Sequence, residues 1–382
     1  MRILSIFGTR PEAVKMAPVV QALSHTPGIE AKVVVTAQHR QMLDQVLDLF
    51  GIVPDLDLNL MRANQSLAAL TAAIFNFLDP VLSQIQPDWV LVQGDTTTVM
   101  ASALLAYYHH IRVGHIEAGL RTGDKWRPFP EEINRRVAGV VADLHFAPTE
   151  WSRQNLLREN VPPEKVVVTG NPVIDALQFV AGQPETTEVK NLLTSLGLSE
   201  VKGKKSPRLV MVTAHRRENF GQPIENICTA LRLLAETYKD EVRIVYPVQL
   251  NPNIQEPVYR LLSNVPHITL LPPLDYLPMV HLLKEATLLL TDSGGLQEEA
   301  PGFGVPVLVM RDVTERPEGI EAGTVRLVGT DTQNIINQTH LLLDDPQAHS
   351  VMAHAVNPYG DGHAAQYIVE ALLKYSQNPV YY

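Results

Sequence analysis

Short runs of β-branched and other apolar residues alternate with helical patterns along almost the whole chain. In the first half the runs predict strands over residues 2–7, 31–36, 89–92, 112–116, 144–147 and 166–168. The stretches between them, such as 67–84 and 97–108, have helical apolar periodicity. Near-continuous apolar strands separated by helices are typical of a parallel sheet that is covered on both faces.

A second series of the same kind follows an interruption at residues 171–207, which ends in the polar segment 201–207. Its predicted strands are 209–213, 243–247, 268–271, 287–291, 306–310 and 324–327. A chain of 382 residues exceeds the size that one core usually supports. We therefore expect an α/β protein with two doubly wound, Rossmann-like domains, 1–170 and 171–363, whose strand-end loops face a cleft. The last helix, about 364–382, could pack back on the first domain.

Composition narrows the class of protein. The chain is 45% hydrophobic and 19% charged, and it has no apolar run near the roughly 20 residues that span a bilayer. The N-terminus lacks the pattern of a signal peptide, and a single cysteine, Cys228, cannot form an internal disulfide, so we expect a cytoplasmic protein with Cys228 in its core. A net charge of −10 argues against nucleic-acid and membrane partners.

The first strand leads into a turn that carries two cations. Gly8 permits a tight turn, and the start of the next helix can aim N–H groups at an anion, with Arg10 and Lys15 adding positive charge. The alternative is an ordinary turn whose basic residues face water. Pro18 predicts a break or kink in this helix, because an interior proline costs about 3 kcal/mol.

Three acidic residues follow neighbouring strands of the first domain. Asp95 stands beside three threonines, and Glu117 lies between glycines. Glu131 follows Pro130 at a predicted helix start, and either Glu131 or the adjacent Glu132 is expected to be structural. Helix capping is the alternative explanation for Asp95. Crowded carboxylates cannot all ionise, so one can hold a proton while another acts as a base. A metal is disfavoured, because no His or Cys spacing matches a ligand pattern.

The second domain offers loops suited to a nucleotide diphosphate. His215 stands beside Arg216 after the first strand of this domain, a combination that can neutralise phosphate and exchange a proton. Gly294 and Gly295 precede a helix, where backbone can approach phosphate closely, and the nearby Glu299 can accept hydrogen bonds from a ribose diol. A turn with a helix cap is the alternative.

These motifs, taken in order, resemble those of the non-hydrolysing UDP-N-acetylglucosamine 2-epimerases over nearly the whole chain. The matching segments are 8–12 (GTRPE), 38–40 (QHR), 94–97 (GDTT), 117–121 (EAGLR), 130–132 (PEE), 215–218 (HRRE), 292–299 (DSGGLQEE), 314–318 (TERPE) and 357–362 (NPYGDG). The resemblance implies the architecture of GT-B glycosyltransferases and a homodimer. It also implies interconversion of UDP-GlcNAc and UDP-ManNAc without metal or nicotinamide, to supply bacterial surface polysaccharide synthesis.

The resemblance also implies roles for individual residues. Those implied as catalytic are Asp95, Glu117, Glu131 and His215, the last beside the diphosphate. Those implied to bind substrate are Arg10, Lys15, Leu274, Met279, Ser293, Gly294, Gly295, Glu299 and Arg316. A second UDP-GlcNAc, bound as an activator, would contact Gln38, Gln41 and Arg216.

Two positions depart from the family pattern. Gln93 and Gln249 stand where a histidine is common, and glutamine keeps the hydrogen bonding but carries no charge. Any proton-linked or activator role at these places is therefore in doubt, whereas the carboxylate set is intact.

Carbon-2 of the sugar has no adjacent carbonyl, and the first turn has no nicotinamide-binding Gly-x-Gly-x-x-Gly. The resulting hypothesis is elimination of UDP to 2-acetamidoglucal, followed by re-addition of UDP and protonation of carbon-2 from the other face. A hydrolysing epimerase that releases ManNAc, a GT-B glycosyltransferase and a sugar-nucleotide sensor are the alternatives, since fold alone does not decide function.

Overall fold

A computed structural model describes residues 1–36, 40–60, 62, 65–198 and 206–377. Contacts within the chain divide it into two compact units, residues 1–178 with those from 359 onward, and residues 179–358. The chain therefore leaves the first unit once and returns to it near its end. Most of the polar segment 201–207 lies outside the described residues.

The first unit contains a seven-stranded parallel sheet in the order β3-β2-β1-β4-β5-β6-β7. Its strands are β1 (Arg2–Phe7), β2 (Glu30–Val35), β3 (Leu56–Asp57), β4 (Trp89–Gln93), β5 (Arg112–Ile116), β6 (Leu144–Ala147) and β7 (Val166–Val168). The sequence analysis missed only the short β3 at the sheet edge. The strand order reverses between β1 and β4, which places the turns after these strands at the switch point of the sheet.

The second unit repeats the arrangement with six parallel strands in the order β10-β9-β8-β11-β12-β13. The strands are β8 (Arg208–Thr213), β9 (Val242–Pro247), β10 (Ile268–Leu271), β11 (Ala286–Thr291), β12 (Val307–Val309) and β13 (Val325–Leu327). Here the switch point lies between β8 and β11. Two doubly wound parallel sheets confirm the predicted α/β class and the GT-B-like fold.

Helices cover both faces of each sheet. In chain order they are α1 (Arg10–Ser24), α2 (Arg40–Phe50), α3 (Leu67–Ile85), α4 (Thr97–Tyr108), α5 (Glu131–Val141), α6 (Glu150–Arg158), α7 (Pro172–Ala181), α8 (Thr187–Ser195), α9 (Gln222–Tyr238), α10 (Pro252–Leu262), α11 (Tyr276–Lys284), α12 (Gly294–Glu299), α13 (Pro317–Ala322), α14 (Thr332–Asp344), α15 (Pro346–Ala353) and α16 (Ala364–Gln377). The last helix, α16, belongs to the first unit, where Tyr375 packs edge-on against Trp89 with ring centroids 5.4 Å apart.

The break predicted at Pro18 is wrong, because α1 runs without interruption through that residue. Pro18 is itself buried, as are Val14 and Val19 on either side of it. Burial of apolar side chains along α1 outweighs the hydrogen bond that the proline cannot donate.

Helix α3 is the one helix in the described part of the chain that is long and apolar enough, by length and composition, to cross a membrane. Its buried residues Leu70, Ile74, Leu78 and Leu82 recur every fourth position and pack in the core of the first unit. This stripe makes α3 a covering helix of the sheet.

Cys228 lies buried on α9, as the sequence predicts. Burial raises the pKa of its thiol to about 12, so the side chain is a neutral core group and not a nucleophile.

Candidate active site

The turn after β1 is fixed by a buried carboxylate. Glu12 accepts hydrogen bonds from the N–H groups of Gly8 (2.9 Å) and Thr9 (2.6 Å), and from the hydroxyl of Thr96 (2.6 Å) in the turn after β4. Burial is the largest influence on the Glu12 carboxyl and raises its pKa. The sequence suggested that the amides of this turn face an anion, but those of Gly8 and Thr9 bind Glu12. An anion at this turn would therefore be bound by side chains of α1.

Lys15, one turn along α1, contacts the predicted catalytic Glu117. The Lys15 Nζ donates to Glu117 Oε1 at 2.6 Å, and both side chains are largely buried. Arg10 is the first residue of the same helix and is half-buried. Both predicted cations thus lie on α1, and Lys15 binds the Glu117 carboxylate.

Glu117 follows β5 in an unusual backbone conformation, with φ at +64°. A non-glycine residue in this region carries about 1–3 kcal/mol of strain that the surrounding structure must offset. Its Oε1 accepts from Lys15 and from Asn171 (Nδ2, 3.2 Å), and its Oε2 accepts from Gln93 Nε2. Donors on both oxygens favour the ionised carboxylate and fix its direction.

Asp95 follows β4 and Gly94, whose φ is +82°. Arg135 Nη2 donates to Asp95 Oδ2 at 2.5 Å. Burial raises the pKa of the Asp95 carboxyl, and the charges of Glu117 and Glu131 raise it further, while Arg135 and Lys15 oppose them. The structure therefore brings the predicted carboxylates Glu117 and Glu131 within electrostatic reach of Asp95.

The two adjacent glutamates at the start of α5 have different surroundings. Glu131 is half-buried, whereas Glu132 is fully buried and accepts from the N–H groups of Thr122 (3.1 Å) and Gly123 (3.3 Å) and from Arg136 Nη2 (3.1 Å). Glu132 is thus the structural member of the pair, and it fastens the preceding loop to the helix.

Two buried histidines support this region from the sheet. The Nε2 of His115 lies 2.8 Å from the carbonyl oxygen of Gly94, and burial lowers its pKa to about 4. His145, its register partner on β6, has a pKa lowered to about 3 by burial. His115 is therefore neutral and can donate to the carbonyl that precedes Asp95, which fixes the turn after β4.

In the second unit, the buried Asp292 organises the loop after β8. Its Oδ2 accepts from the N–H groups of His215 (2.7 Å) and Arg216 (2.8 Å) and from Asn219 Nδ2 (2.9 Å). Burial lowers the pKa of His215, with the Arg216 charge acting in the same direction and Asp292, 3.5 Å away, opposing them. His215 is thus held beside a cation as a neutral imidazole near pH 7.

Two guanidinium groups converge on the start of α12. A Cβ added to Gly294 would lie 3.5 Å from Arg216 Nη2 and 3.4 Å from Arg316 Cζ. Arg316 is held by Glu298, with its Nε 2.7 Å from Oε1. Ser293, at the N-cap, and Gly295 complete the turn. Bare backbone between two cations can accommodate phosphate oxygens, so this turn is the candidate diphosphate site.

The remaining predicted positions of this unit lie on α12, around the start of α11 and after β9. Glu299 ends α12 almost buried and raises the pKa of the Tyr276 hydroxyl, second only to burial. Leu274 and Met279 flank the start of α11, half-buried against the core. Gln249 is exposed after β9.

The predicted activator positions are only partly described. Gln38 lies outside the described residues, and of Gln41 only its place on α2 is described. Arg216 is the one member of this predicted set whose surroundings the structure gives.

Several cations near the turns are already matched by carboxylates. Arg121 binds Glu159 through two nitrogens at 2.7 and 2.8 Å, and Arg311 binds Glu218 at 2.5 Å. These pairs offset the positive charge of Arg121 and Arg311.

Sequence reasoning missed two polar residues that hold predicted site residues. Asn171 contacts Glu117, and Asp292 holds the His215 loop. Each stands just after a strand, at the edge where parallel sheets place their ligand-binding loops, and that position is the signal by which they could have been found.

Comparison with known proteins gives consistent results. A family model described as UDP-N-acetylglucosamine 2-epimerase matches residues 21–373. A UDP-N-acetylglucosamine 2-epimerase of Escherichia coli (strain K12) is 55% identical over 97% of this chain and 98% of that protein. The solved UDP-GlcNAc 2-epimerase from Neisseria meningitidis, bound to UDP-GlcNAc, has a TM-score of 0.90 and 50% identity over 98% of this chain and 100% of that one. The Methanocaldococcus jannaschii enzyme, in complex with UDP-GlcNAc and UDP, has a TM-score of 0.80 and 32% identity over 98% and 100% of the two chains.

Proposed function

The chain belongs to the UDP-N-acetylglucosamine 2-epimerase family, and from this we propose that it interconverts UDP-GlcNAc and UDP-ManNAc by inverting carbon-2 of the sugar. The observation that carries the proposal is the placement of Glu117 and Glu131 within electrostatic reach of Asp95, with Lys15 bound to Glu117. A carboxyl whose pKa is raised and a neighbouring carboxylate held by a cation can between them donate and remove protons at one carbon.

The proposed chemistry is an elimination followed by an addition. A carboxylate removes the proton on carbon-2, the bond between carbon-1 and the UDP oxygen breaks, and 2-acetamidoglucal and UDP form. The UDP oxygen then bonds to carbon-1 again, and an acid delivers a proton to carbon-2 from the opposite face. Asp95, Glu117 and Glu131 would share the base, acid and supporting roles, since burial raises the pKa of the Asp95 carboxyl and the charges of Glu117 and Glu131 raise it further.

The second unit would stabilise the departing UDP. Arg216 and Arg316 lie beside the backbone of Gly294, so that charge developing on the diphosphate would meet two cations already in place. Their geometry is fixed beforehand by Asp292 and Glu298. We place His215 beside the diphosphate, Glu299 at the ribose, and Leu274 and Met279 at the uracil.

The test is turnover in deuterated water, followed by NMR. UDP-GlcNAc is expected to give UDP-ManNAc that carries deuterium at carbon-2. Unlabelled product would contradict the elimination. Accumulation of free ManNAc and UDP would instead indicate a hydrolysing epimerase.

Conservative variants test the carboxylates. Asp95→Asn, Glu117→Gln and Glu131→Gln should each lower kcat by about 10²-fold or more, within the range of general acid–base catalysis. Binding of UDP, measured by calorimetry, should be retained, because UDP is assigned to the second unit. A protein that binds UDP-GlcNAc and whose function survives all three substitutions would be a sensor and not an enzyme.

We further propose that the protein is a homodimer. Large apolar side chains are exposed on neighbouring helices of the first unit, among them Phe77 on α3, Tyr107 and Tyr108 on α4, and Val140 on α5. Grouped exposed apolar residues are typical of protein interfaces.

The remaining proposals concern regulation and place. A second UDP-GlcNAc would bind as an activator through Arg216, Gln38 and Gln41. It would be detected as a requirement for UDP-GlcNAc when UDP-ManNAc is the substrate.

The free, buried Cys228 supports a cytoplasmic location, where the product would enter surface polysaccharide synthesis.

A further inference from the structure

Asn171 connects the Glu117 carboxylate to the place where the chain returns to the first unit. It is buried and lies between β7 and α7. Its Nδ2 donates to Glu117 Oε1 at 3.2 Å, and its Oδ1 accepts from the N–H of Val173 at 3.3 Å. Its own N–H donates to the carbonyl oxygen of Tyr359 at 2.7 Å. One residue thus holds both the carboxylate and the returning segment.

The backbone around Asn171 is packed too closely for side chains. A Cβ on Gly170 would lie 3.0 Å from Gly360 Cα and 3.2 Å from the Tyr359 oxygen, and a Cβ on Gly360 would lie 3.1 Å from Gly170 Cα. Both glycines have positive φ, +81° and +124°. The position of the Asn171 backbone is therefore set by direct contact with residues 359 and 360.

We propose that Asn171 is a positioning residue for the epimerisation, and that it makes the orientation of the Glu117 carboxylate depend on the contact between Gly170 and Gly360. The inference rests on the proposed role of Glu117. The bond to Val173 N–H orients the amide so that a donor faces Glu117, and a donor on the carboxylate favours the ionised form.

Asn171→Asp tests the hydrogen bond at almost constant shape. The substitution places a second carboxylate opposite Glu117, and two such groups resist ionising together. We expect kcat to fall by about tenfold or more, KM to stay within about threefold, and the acid limb of the kcat profile to move up by about one pH unit. Asn171→Ala should lower kcat with a smaller movement of the limb. A purely structural role would lower thermal stability without moving the limb.

Asn155→Asp is the matched control. Asn155 is half-buried; its Nδ2 donates to the carbonyl oxygen of Gly119 at 3.0 Å, and its Oδ1 accepts from Arg158 Nη1 at 3.0 Å. The control loses a similar amide hydrogen bond in the same unit and should keep the wild-type acid limb.

The backbone contact is tested by Gly360→Ala, with Gly28→Ala as control. Both glycines have positive φ, so both substitutions strain the backbone, but nothing lies within 4 Å of a Cβ on Gly28. Gly360→Ala should lower kcat by about tenfold through displacement of Asn171, whereas Gly28→Ala should keep the wild-type kcat.

The outcomes separate this inference from the proposed function. If Glu117→Gln keeps the wild-type rate, the role of Glu117 itself is wrong. If Glu117→Gln abolishes turnover while Asn171→Asp and Asn171→Ala keep the wild-type kcat and acid limb, the positioning role alone is overturned. Should Asn171→Asp fail to fold, Asn171→Ala and Gly360→Ala give the same kcat comparison.

Discussion

Burial sets the protonation of single residues in this protein, and the histidines of the first sheet are the clearest case. His115 and His145 have pKa values lowered to about 4 and about 3 because they are buried. In the unfolded chain they would titrate near 6.5. The neutral imidazole of His115 can donate to the Gly94 carbonyl without adding a third positive charge to those of Arg121 and Arg135.

The first prediction is that acid destabilises the fold through these two residues. Between pH 6.5 and 4 the unfolded chain binds protons that the folded chain does not, so the free energy of unfolding falls as pH falls, by up to about 1.4 kcal/mol per pH unit for each histidine. Urea unfolding at pH 7.5 and 5.5 should show a smaller pH dependence for His145→Gln than for wild type.

Glu131 and Glu132 are adjacent but differently buried, so substitution should affect turnover at Glu131 and stability at Glu132. Glu132→Gln removes a buried charge that binds Arg136 and two backbone amides, and should cost about 3 kcal/mol of unfolding free energy. Glu131→Gln should change stability by less than about 0.5 kcal/mol while turnover is lost. Thermal unfolding and the NMR assay on both variants check the pair, and a large stability loss in Glu131→Gln would contradict the assignment.

At the scale of elements, the strands were predictable because the spacing of apolar residues and the composition of each segment indicate them. Of the thirteen strands in the described part of the chain, all but β3, two residues long at the sheet edge, were predicted. The continuity of α1 through Pro18 was not predicted, because it depends on the burial of α1 side chains in the folded protein. Likewise the motifs identified Asp95, Glu117 and Glu131. The donor Asn171 and the acceptor Asp292 act through contacts between residues distant in sequence, which periodicity does not reveal.

The start of α12 gives a prediction about the diphosphate. Gly294→Ala places a methyl group beside Arg216 and Arg316, at distances that the free protein accommodates. It should exclude a phosphate oxygen and raise KM for UDP-GlcNAc by about tenfold or more, the equivalent of one charged hydrogen bond, with unchanged thermal stability. Gly139→Ala on α5, where a Cβ would lie 3.5 Å from Arg121 Nη2, is the control. An unchanged KM would exclude this turn as the diphosphate site.

At the scale of the whole molecule, the two units share one strand order but carry different candidate site residues. The first carries the carboxylates and the second the cations around a glycine turn. The chain joins them twice, and α16 returns to the first unit, where Ser376 accepts a hydrogen bond from Trp89 Nε1 at 3.4 Å. Truncation before α16 would therefore expose the core of the carboxylate-bearing unit, although α16 lies far along the chain from that unit's other elements.

The proposed homodimer provides the last prediction. The exposed side chains of Phe77 (53%) and Tyr108 (58%) lie on α3 and α4, which pack against each other. A charge placed in an apolar interface is left without a partner, so Phe77→Glu with Tyr108→Glu should convert a dimer into monomers, measured by light scattering with size-exclusion chromatography. Val351→Glu, a 67% exposed position on α15 of the second unit, should leave the mass unchanged. A monomeric wild-type protein, or a double variant that stays dimeric, would show that these helices do not form the interface.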